Sequence, residues 1–332
     1  MKSMKQVSIS LSLCAVIVLA SGAAAAESSL ASWRDTASKS RIEAFVKQVS
    51  DPTSVDFVPE EQRIAVFDND GTLWAEKPVY FQVLFAIDQA ALQLKADPSL
   101  ASEAPYSYIA KGDIAGLLSG GEEALLELVL KTHTGMSSSA FRESVLDWME
   151  RAQHPTTDRD FTQMVYQPML ELLAYLRANG FSTWIVSGGG VGFMRPWTQQ
   201  VYGIPPQQVV GSRMALSYDA DSDSPLILRE SKLEHINDKA GKPVGIQTQI
   251  GVRPILAVGN SDGDFQMLDW STSGPGTRLG IIIHHTDADR EWAYDRESSV
   301  GRLDAGLDAA SDKDWLVVDM KKDWAAIFPP LP

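Results

Sequence analysis

The sequence predicts an α/β protein: a parallel sheet with helices on both faces, joined to a second, mainly helical unit. Three observations carry this. Short apolar runs of strand type, Ile64–Phe67, Ser182–Val186 and Ile255–Val258, each end abruptly in polar or glycine-rich residues. Helical patterns alternate with the strand-like runs over much of the chain, the arrangement that builds a parallel sheet. From about Pro78 to Gln167, by contrast, only helical spacing of apolar residues recurs.

The first residues form a separate object. Lys2 and Lys5 make a basic start, Ile9 to Ala20 an apolar core, and Ala23 to Ala26 a small-residue end. This is the layout of a secretory signal peptide cleaved after Ala26. Its apolar run is short for a membrane span, so no span is expected in the mature chain. The single cysteine, Cys14, lies inside it, which leaves the mature chain without a disulfide. Export without cysteine fits a bacterial periplasmic or secreted protein better than a small stapled module.

Beyond the leader, Ser40 to Val49 reads as a helix and Ile64 to Phe67 as the first strand. Tyr80 to Leu94, Gly121 to Thr132 and Ser138 to Arg151 carry apolar residues at helical spacing. Tyr166 to Asn179 is a further helix, closed by Gly180 and leading into the strand at Ser182. Val191 to Tyr202 reads as one helix and Val209 to Met214 as a strand. Ala215–Tyr218 and Leu226–Arg229 can pair as a hairpin. Gly280–His284 and Leu316–Asp319 supply late strands.

The chemistry concentrates where the strands stop. Asp68 and Asp70 follow the first strand two residues apart, so both side chains can face one small volume, and Gly71 permits the sharp turn. Two converging carboxylates repel unless a cation lies between them, and hard oxygen ligands suit Mg²⁺. Ser187 opens the Ser187-Gly188-Gly189-Gly190 loop, a hydroxyl beside backbone N–H groups that can cradle an anion. Lys242 follows a turn-rich segment at an expected helix start. The third strand ends in Gly259-Asn260-Ser261-Asp262-Gly263-Asp264. Polar groups at the carboxyl ends of neighbouring strands line the crevice where open α/β sheets bind ligands.

Taken in this order, the four segments resemble the motifs of the haloacid dehalogenase superfamily, in particular its phosphatases of the phosphoserine phosphatase type. Asp68-Asn69-Asp70-Gly71-Thr72 is similar to the first motif, Ser187 to the second, Lys242 to the third and Gly259–Asp264 to the fourth. The resemblance implies a Rossmann-like catalytic core over residues 27–77 and 168–332, with a helical cap over 78–167. It also implies Mg²⁺-dependent hydrolysis of small phosphate monoesters through an aspartyl-phosphate. Asp68 would be the nucleophile and Asp70 the acid/base. Ser187, Gly188 and Lys242 would bind the phosphoryl group. Mg²⁺ would be held by Asp68, the backbone carbonyl of Asp70, Asn260 and Asp264. The resembled phosphatases carry Asp where this chain has Asn260, which leaves Asn260, Asp262 and Asp264 as competing sources of the third metal ligand. A dehalogenase fits less well, because release of halide does not need the second acid, Asp70. The alternative reading, prompted by Asn260, is a catalytically impaired binding or scaffold protein on the same fold.

The remaining candidates have ordinary readings beside functional ones. Trp74 and Glu76 either border a pocket for a cationic group or pack under the cap. His284 and His285 end a late strand near the site and read as polar packing. Arg195 and Arg213 are candidate substrate-side charges, and Lys232 and Lys239 compete with Lys242. The formal net charge of −14 disfavours nucleic acid and anionic membranes as partners, and loss of Lys2 and Lys5 makes the mature chain more acidic still. An anionic metabolite therefore needs a locally positive site.

Overall fold

A computed structural model describes residues 30–220 and 224–331. The expected signal peptide and Cys14 lie outside the described residues. Within them, no helix is long and apolar enough to cross a membrane.

The chain enters through α1 (Ala37–Ser50) and β1 (Ile64–Phe67). Five helices follow with no intervening strand: α2 (Phe81–Ala96), α3 (Tyr106–Ala110), α4 (Ile114–Ser119), α5 (Gly121–His133) and α6 (Ser138–Arg151). Next come α7 (Gln167–Ala178), β2 (Ser182–Gly190), α8 (Val191–Met194) and α9 (Thr198–Tyr202). The expected single helix over Val191–Tyr202 is thus two short ones. Pro196 lies at the break, where it has no N–H to donate to a continuing helix.

β3 (Val209–Asp219) and β4 (Leu226–His235) form the hairpin, with Leu216, Ser217 and Tyr218 opposite Arg229, Leu228 and Ile227. The chain closes with α10 (Gly241–Gln249), β5 (Leu256–Gly259), α11 (Phe265–Thr272), β6 (Leu279–Thr286), β7 (Ala293–Tyr294), α12 (Ala305–Ala310), β8 (Leu316–Asp319) and α13 (Met320–Asp323).

The sheet runs β4-β3-β2-β1-β5-β6-β7, with β8 also paired to β6. Its central strands are parallel, and only the β3–β4 and β6–β7 pairs are antiparallel. β1 lies at the centre and is covered on both faces, which explains its unbroken apolar run. Ala65 and Phe67 pack into one apolar layer and Ile64 and Val66 into the other. The residues alternate because successive side chains of a strand point to opposite faces.

The helices between β1 and β2 have a small core of their own around Ala86, Ala90, Tyr106, Leu117 and Leu128. They are welded to the sheet unit by aromatic rings. Phe81 of α2 lies 4.7 Å from Trp74 and Phe85 5.4 Å from Phe193 of α8, and behind this contact Trp148 of α6 stacks on Phe161 at 4.4 Å, with Phe161 4.6 Å from Phe81. Trp74 stacks on Trp197 at 4.5 Å. The hairpin reaches the same helical unit: Arg229 N–H donates to the Met136 carbonyl and the Arg229 carbonyl accepts from Gly135 N–H. Phe161 is almost fully buried at this junction. Phe161→Ala is expected to cost about 3–5 kcal/mol, from lost burial and an unfilled cavity. Urea denaturation measures it, and a loss below about 1 kcal/mol would show that the Phe161 ring contributes little to the packing behind the junction.

Candidate active site

The site forms at the carboxyl ends of β1, β2 and β5. Asp68 N–H extends the β1–β5 pairing by donating to the Val258 carbonyl at 2.9 Å. The chain then turns sharply. Gly71 has φ +72, and a Cβ there would lie 2.1 Å from Asn260 Nδ2, so both conformation and space require glycine. Leu73 and Trp74 are fully buried and anchor the turn.

Lys242, at the start of α10, lies buried with Nζ between Asp68 Oδ1 at 2.7 Å and Asp264 Oδ1 at 2.5 Å. Burial is the largest influence on this amine and pulls its pKa down, but Asp264 and Asp68 together hold it above the usual lysine value. Asp68 is raised well above the ordinary carboxylate range, first by burial and then by the neighbouring charge of Asp264. Asp70 is pushed up to about 6, mainly by burial, although Trp74 Nε1–H donates to its Oδ1 at 2.8 Å.

Ser187 is buried at the end of β2. Its Oγ accepts from Gly189 N–H at 3.0 Å, and its carbonyl accepts from Asn237 Nδ2 at 2.9 Å. A Cβ built on Gly189 would stand 3.3 Å from Ser187 Oγ and 3.6 Å from Asp70 Oδ2, so hydroxyl and carboxylate flank the same glycine. Asp68, Asp70, Ser187, Gly188 and Lys242 thus meet in one cavity of about 440 Å³.

The fourth segment separates its three polar candidates. Asp264 was expected among the metal ligands, but donors occupy both its oxygens. Oδ1 takes the Lys242 ammonium, and Oδ2 takes the backbone N–H groups of Asn260 and Ser261, each at 3.0 Å. Asp262 points away. Its Oδ1 accepts from Asp304 and Gly306 N–H, each at 3.0 Å, and ties down the start of α12. Asn260 remains. Its Oδ1 accepts from Thr72 Oγ1 at 3.0 Å, and its Nδ2 donates to Glu76 Oε1 at 2.8 Å.

Glu76 is a buried carboxylate whose importance the sequence did not reveal. Its Oε1 also accepts from Tyr294 OH at 2.7 Å. Burial pushes Glu76 up to about 7. Gly71 and Gly301 leave it room: a Cβ on either would lie 2.5 Å or 1.8 Å from Oε1.

A divalent cation fits this chemistry. Asp68 and Asp264 are buried on the Lys242 ammonium, Asp70 is half-buried beside them and Glu76 is buried behind Asn260, and desolvation raises Asp68, Asp70 and Glu76 above their usual values. The available groups are hard oxygens. Among the described residues no three His, Cys, Asp or Glu side chains form a ready metal cluster. A cation here therefore has to draw on a backbone carbonyl or the Asn260 amide oxygen as well as carboxylate.

The other candidates sort themselves. Trp74 is fully buried between Phe81 and Trp197, so its ring is structural and unavailable to a cationic ligand. His285 supports the turn. Its Nε2 lies 2.8 Å from the Gly71 carbonyl oxygen and its Nδ1 3.1 Å from Glu291 Oε2, and both partners are acceptors. Burial pulls the His285 pKa down, but Glu291 outweighs it, so the ring is held above its usual value. His284 lies 3.3 Å from Asp295 Oδ2, away from this cluster. Lys232 is exposed and Lys239 lies 4.0 Å from Asp238, so Lys242 is the lysine at the site. Arg195 and Arg213 line the cavity. So do Arg229 and His133, which carried no sequence signal.

The sequence profile of the haloacid dehalogenase-like hydrolases matches residues 65–269. That is more than half of the chain and spans all four motifs, and the protein belongs to this family of hydrolases. Among solved structures it is similar to a protein of unknown function from Bordetella pertussis Tohama I. The two share 14% identity over 78% of this chain and 99% of the other, with a TM-score of 0.50, a likeness of fold. A phosphoserine phosphohydrolase-like protein from Francisella tularensis matches at 16% identity, 76% and 98% coverage and a TM-score of 0.39. A probable phosphoserine phosphatase from Vibrio cholerae matches at 16%, 68% and 58%, and 0.36. No curated protein matched the chain.

Removing the ammonium between two buried carboxylates leaves their charge uncompensated. Lys242→Met is expected to destabilise the protein by about 3–5 kcal/mol at pH 8. The loss should shrink at pH 5, where the raised carboxyls take up protons. Chemical denaturation at the two pH values measures it, and an equal loss at both would mean that charge is not the cause.

Proposed function

We propose that this protein is a Mg²⁺-dependent phosphatase that hydrolyses small phosphate monoesters through an aspartyl-phosphate at Asp68. The observation that carries the reading is the convergence of Asp68, Asp70, Ser187 and Lys242 on one cavity at the strand ends. A carboxylate needs no base to become nucleophilic, and its difficulty is repulsion by the anionic phosphoryl group. Lys242, bonded to Asp68, lowers that repulsion. Ser187 Oγ and the glycine loop stand where phosphoryl oxygens need donors, and such fixed donors supply most of the stabilisation in phosphoryl transfer. Asp70, at about 6, can hold a proton near neutral pH to give to the leaving alkoxide and can then take one from water. Trp74 Nε1 orients it. Asp68, Asp70 and Asn260 would hold Mg²⁺, which when bound neutralises charge on the phosphoryl group.

The binding-protein alternative rested on the neutral Asn260. The Glu76 carboxylate, 2.8 Å from its amide nitrogen, brings negative charge to the same place, so Asn260 no longer argues for lost turnover.

Asp68→Asn keeps the shape and removes the attacking charge. It should fold and lose turnover of phosphate monoesters by at least about 10³-fold. Near wild-type turnover of p-nitrophenyl phosphate by this variant would rule the mechanism out.

A Mg²⁺ held by Asp68 and Asn260 lies close to the Asp70 and Glu76 carboxyls, and its charge disfavours their protons. Asp70 and Glu76 keep protons up to about 6 and 7, where the unfolded chain has already lost them. Their contribution to stability is full below the ordinary carboxylate values and is lost as pH rises through 6 to 7. A bound cation offsets that loss. The rise in Tm caused by Mg²⁺ should therefore be small at pH 5.5 and grow through pH 7.5. A Tm shift independent of pH would mean that the cation does not bind at these carboxylates.

A further inference from the structure

The cavity is larger than a phosphoryl group needs, and its two ends differ in charge. The floor holds the carboxylates and Lys242. The outer wall holds Arg195 from the turn after α8, Arg213 from β3 and Arg229 from β4. In a chain of net charge −14, three guanidinium groups on one cavity wall call for a cause. Arg213 Nε donates to Glu234 at 3.4 Å. Among the described residues, no carboxylate pairs with Arg195. Its one bond runs from Nη2 to the Val209 carbonyl at 3.2 Å, and its buried Nε has no partner. Arg195 and Arg213 both line the cavity, and burial together with the field of Arg213 holds Arg195 below the usual arginine value. Arg229 adds positive field from the hairpin, where its guanidinium lies 3.9 Å over the Phe141 ring. The lining also has an apolar share, with Leu125 and Val129 from α5 and Leu233 and Ile236 from and after β4, beside Gln82 and the carboxylates Glu234 and Asp238.

Partly buried like charges, one of them without a counter-ion, are costly unless an anion completes the site. We propose that Arg195 and Arg213 bind a second anionic group of the substrate, a carboxylate or a further phosphate, carried beyond an apolar body that spans the cavity. This rests on the phosphate-monoester reading above and adds the class of ester. One acceptor shares the wall. Thr132 Oγ1 donates to the Leu128 carbonyl, so His133 Nδ1–H donates to Thr132, and the partnerless His133 Nε2 is left as a lone pair for an O–H or N–H of the ligand.

Three aryl phosphates test the proposal: 4-carboxyphenyl phosphate, 1,4-phenylene bisphosphate and the neutral 4-carbamoylphenyl phosphate. At least one anionic ester should exceed the carbamoyl ester in kcat/KM by about tenfold, and which one does so names the anion. Arg213→Gln, at a partly exposed position, and Arg195→Gln should each bring that ratio toward one. Turnover of all three esters without anionic preference, or a preference that survives both substitutions, overturns the inference and leaves the phosphatase reading standing. If none is hydrolysed, the phosphatase reading fails. Calorimetric titration with 4-hydroxybenzoate and 1,4-benzenedicarboxylate against 4-hydroxybenzamide then decides the subsite directly. Tighter binding of an anion that is lost in Arg213→Gln supports it, and equal binding overturns it.

Discussion

The site depends on one ammonium group. Lys242 Nζ joins Asp68 at the end of β1 to Asp264 after β5, residues 174 and 22 positions away in the chain. A buried charge is tolerated only when fully partnered. Here the partners are themselves fastened to the backbone: Asp68 N–H lies on the Val258 carbonyl, and Asp264 Oδ2 takes two N–H groups of its own turn. The contact therefore works in both directions. It positions α10 against the strand ends, and it keeps the Asp68 carboxylate aimed into the cavity.

A second buried pair supports the turn from the other side. His285 bonds the Gly71 carbonyl and Glu291, and Glu291 also accepts from Tyr166 OH at 2.8 Å and from Trp292 N–H at 2.6 Å. Between the two pairs runs the network Thr72–Asn260–Glu76–Tyr294. Networks of this kind, fully satisfied, leave a segment little freedom. The stretch from Asp68 to Glu76 is thus held at its carboxylates, its glycine and its tryptophan together.

The sequence revealed what is local and missed what is relational. β1 was legible because burial on both faces forces four apolar residues in a row, and its motif was legible because the turn needs Gly71. The hairpin pairing of Leu216–Tyr218 with Ile227–Arg229 was readable from the polar turn between the strands. The two residues of β7 and the short α3 and α4 have too little periodicity to register. Asp262 and Asp264 could not be told apart by spacing, because only the tight turn at the end of β5 sends one to Lys242 and the other to the start of α12. Glu76 was read as a residue bordering the pocket, which it does, but its bond to Asn260, 184 positions away, left no trace in the sequence. Arg229 and His133 meet across 96 positions, through Arg229 Nε and the His133 carbonyl, and neither stands in a motif.

The hairpin is the part of this fold that departs most from a sheet with a helical cover. β3 begins as a parallel neighbour of β2 and continues past it as half of an antiparallel ribbon. That extension carries Arg213 and Arg229 over the glycine loop and bonds to the segment between α5 and α6. An acidic protein repels dianions at long range, but at physiological salt that repulsion is screened beyond about 8 Å. What decides binding is then the field inside the cavity, where apolar walls weaken screening. Lys242 supplies positive charge at the floor, and the hairpin supplies it at the rim. A helical cover alone brings few cations to this site, because α5 faces the cavity with leucine and valine. On the proposed reading, the ribbon is the element that makes the cavity of an acidic chain receptive to anions.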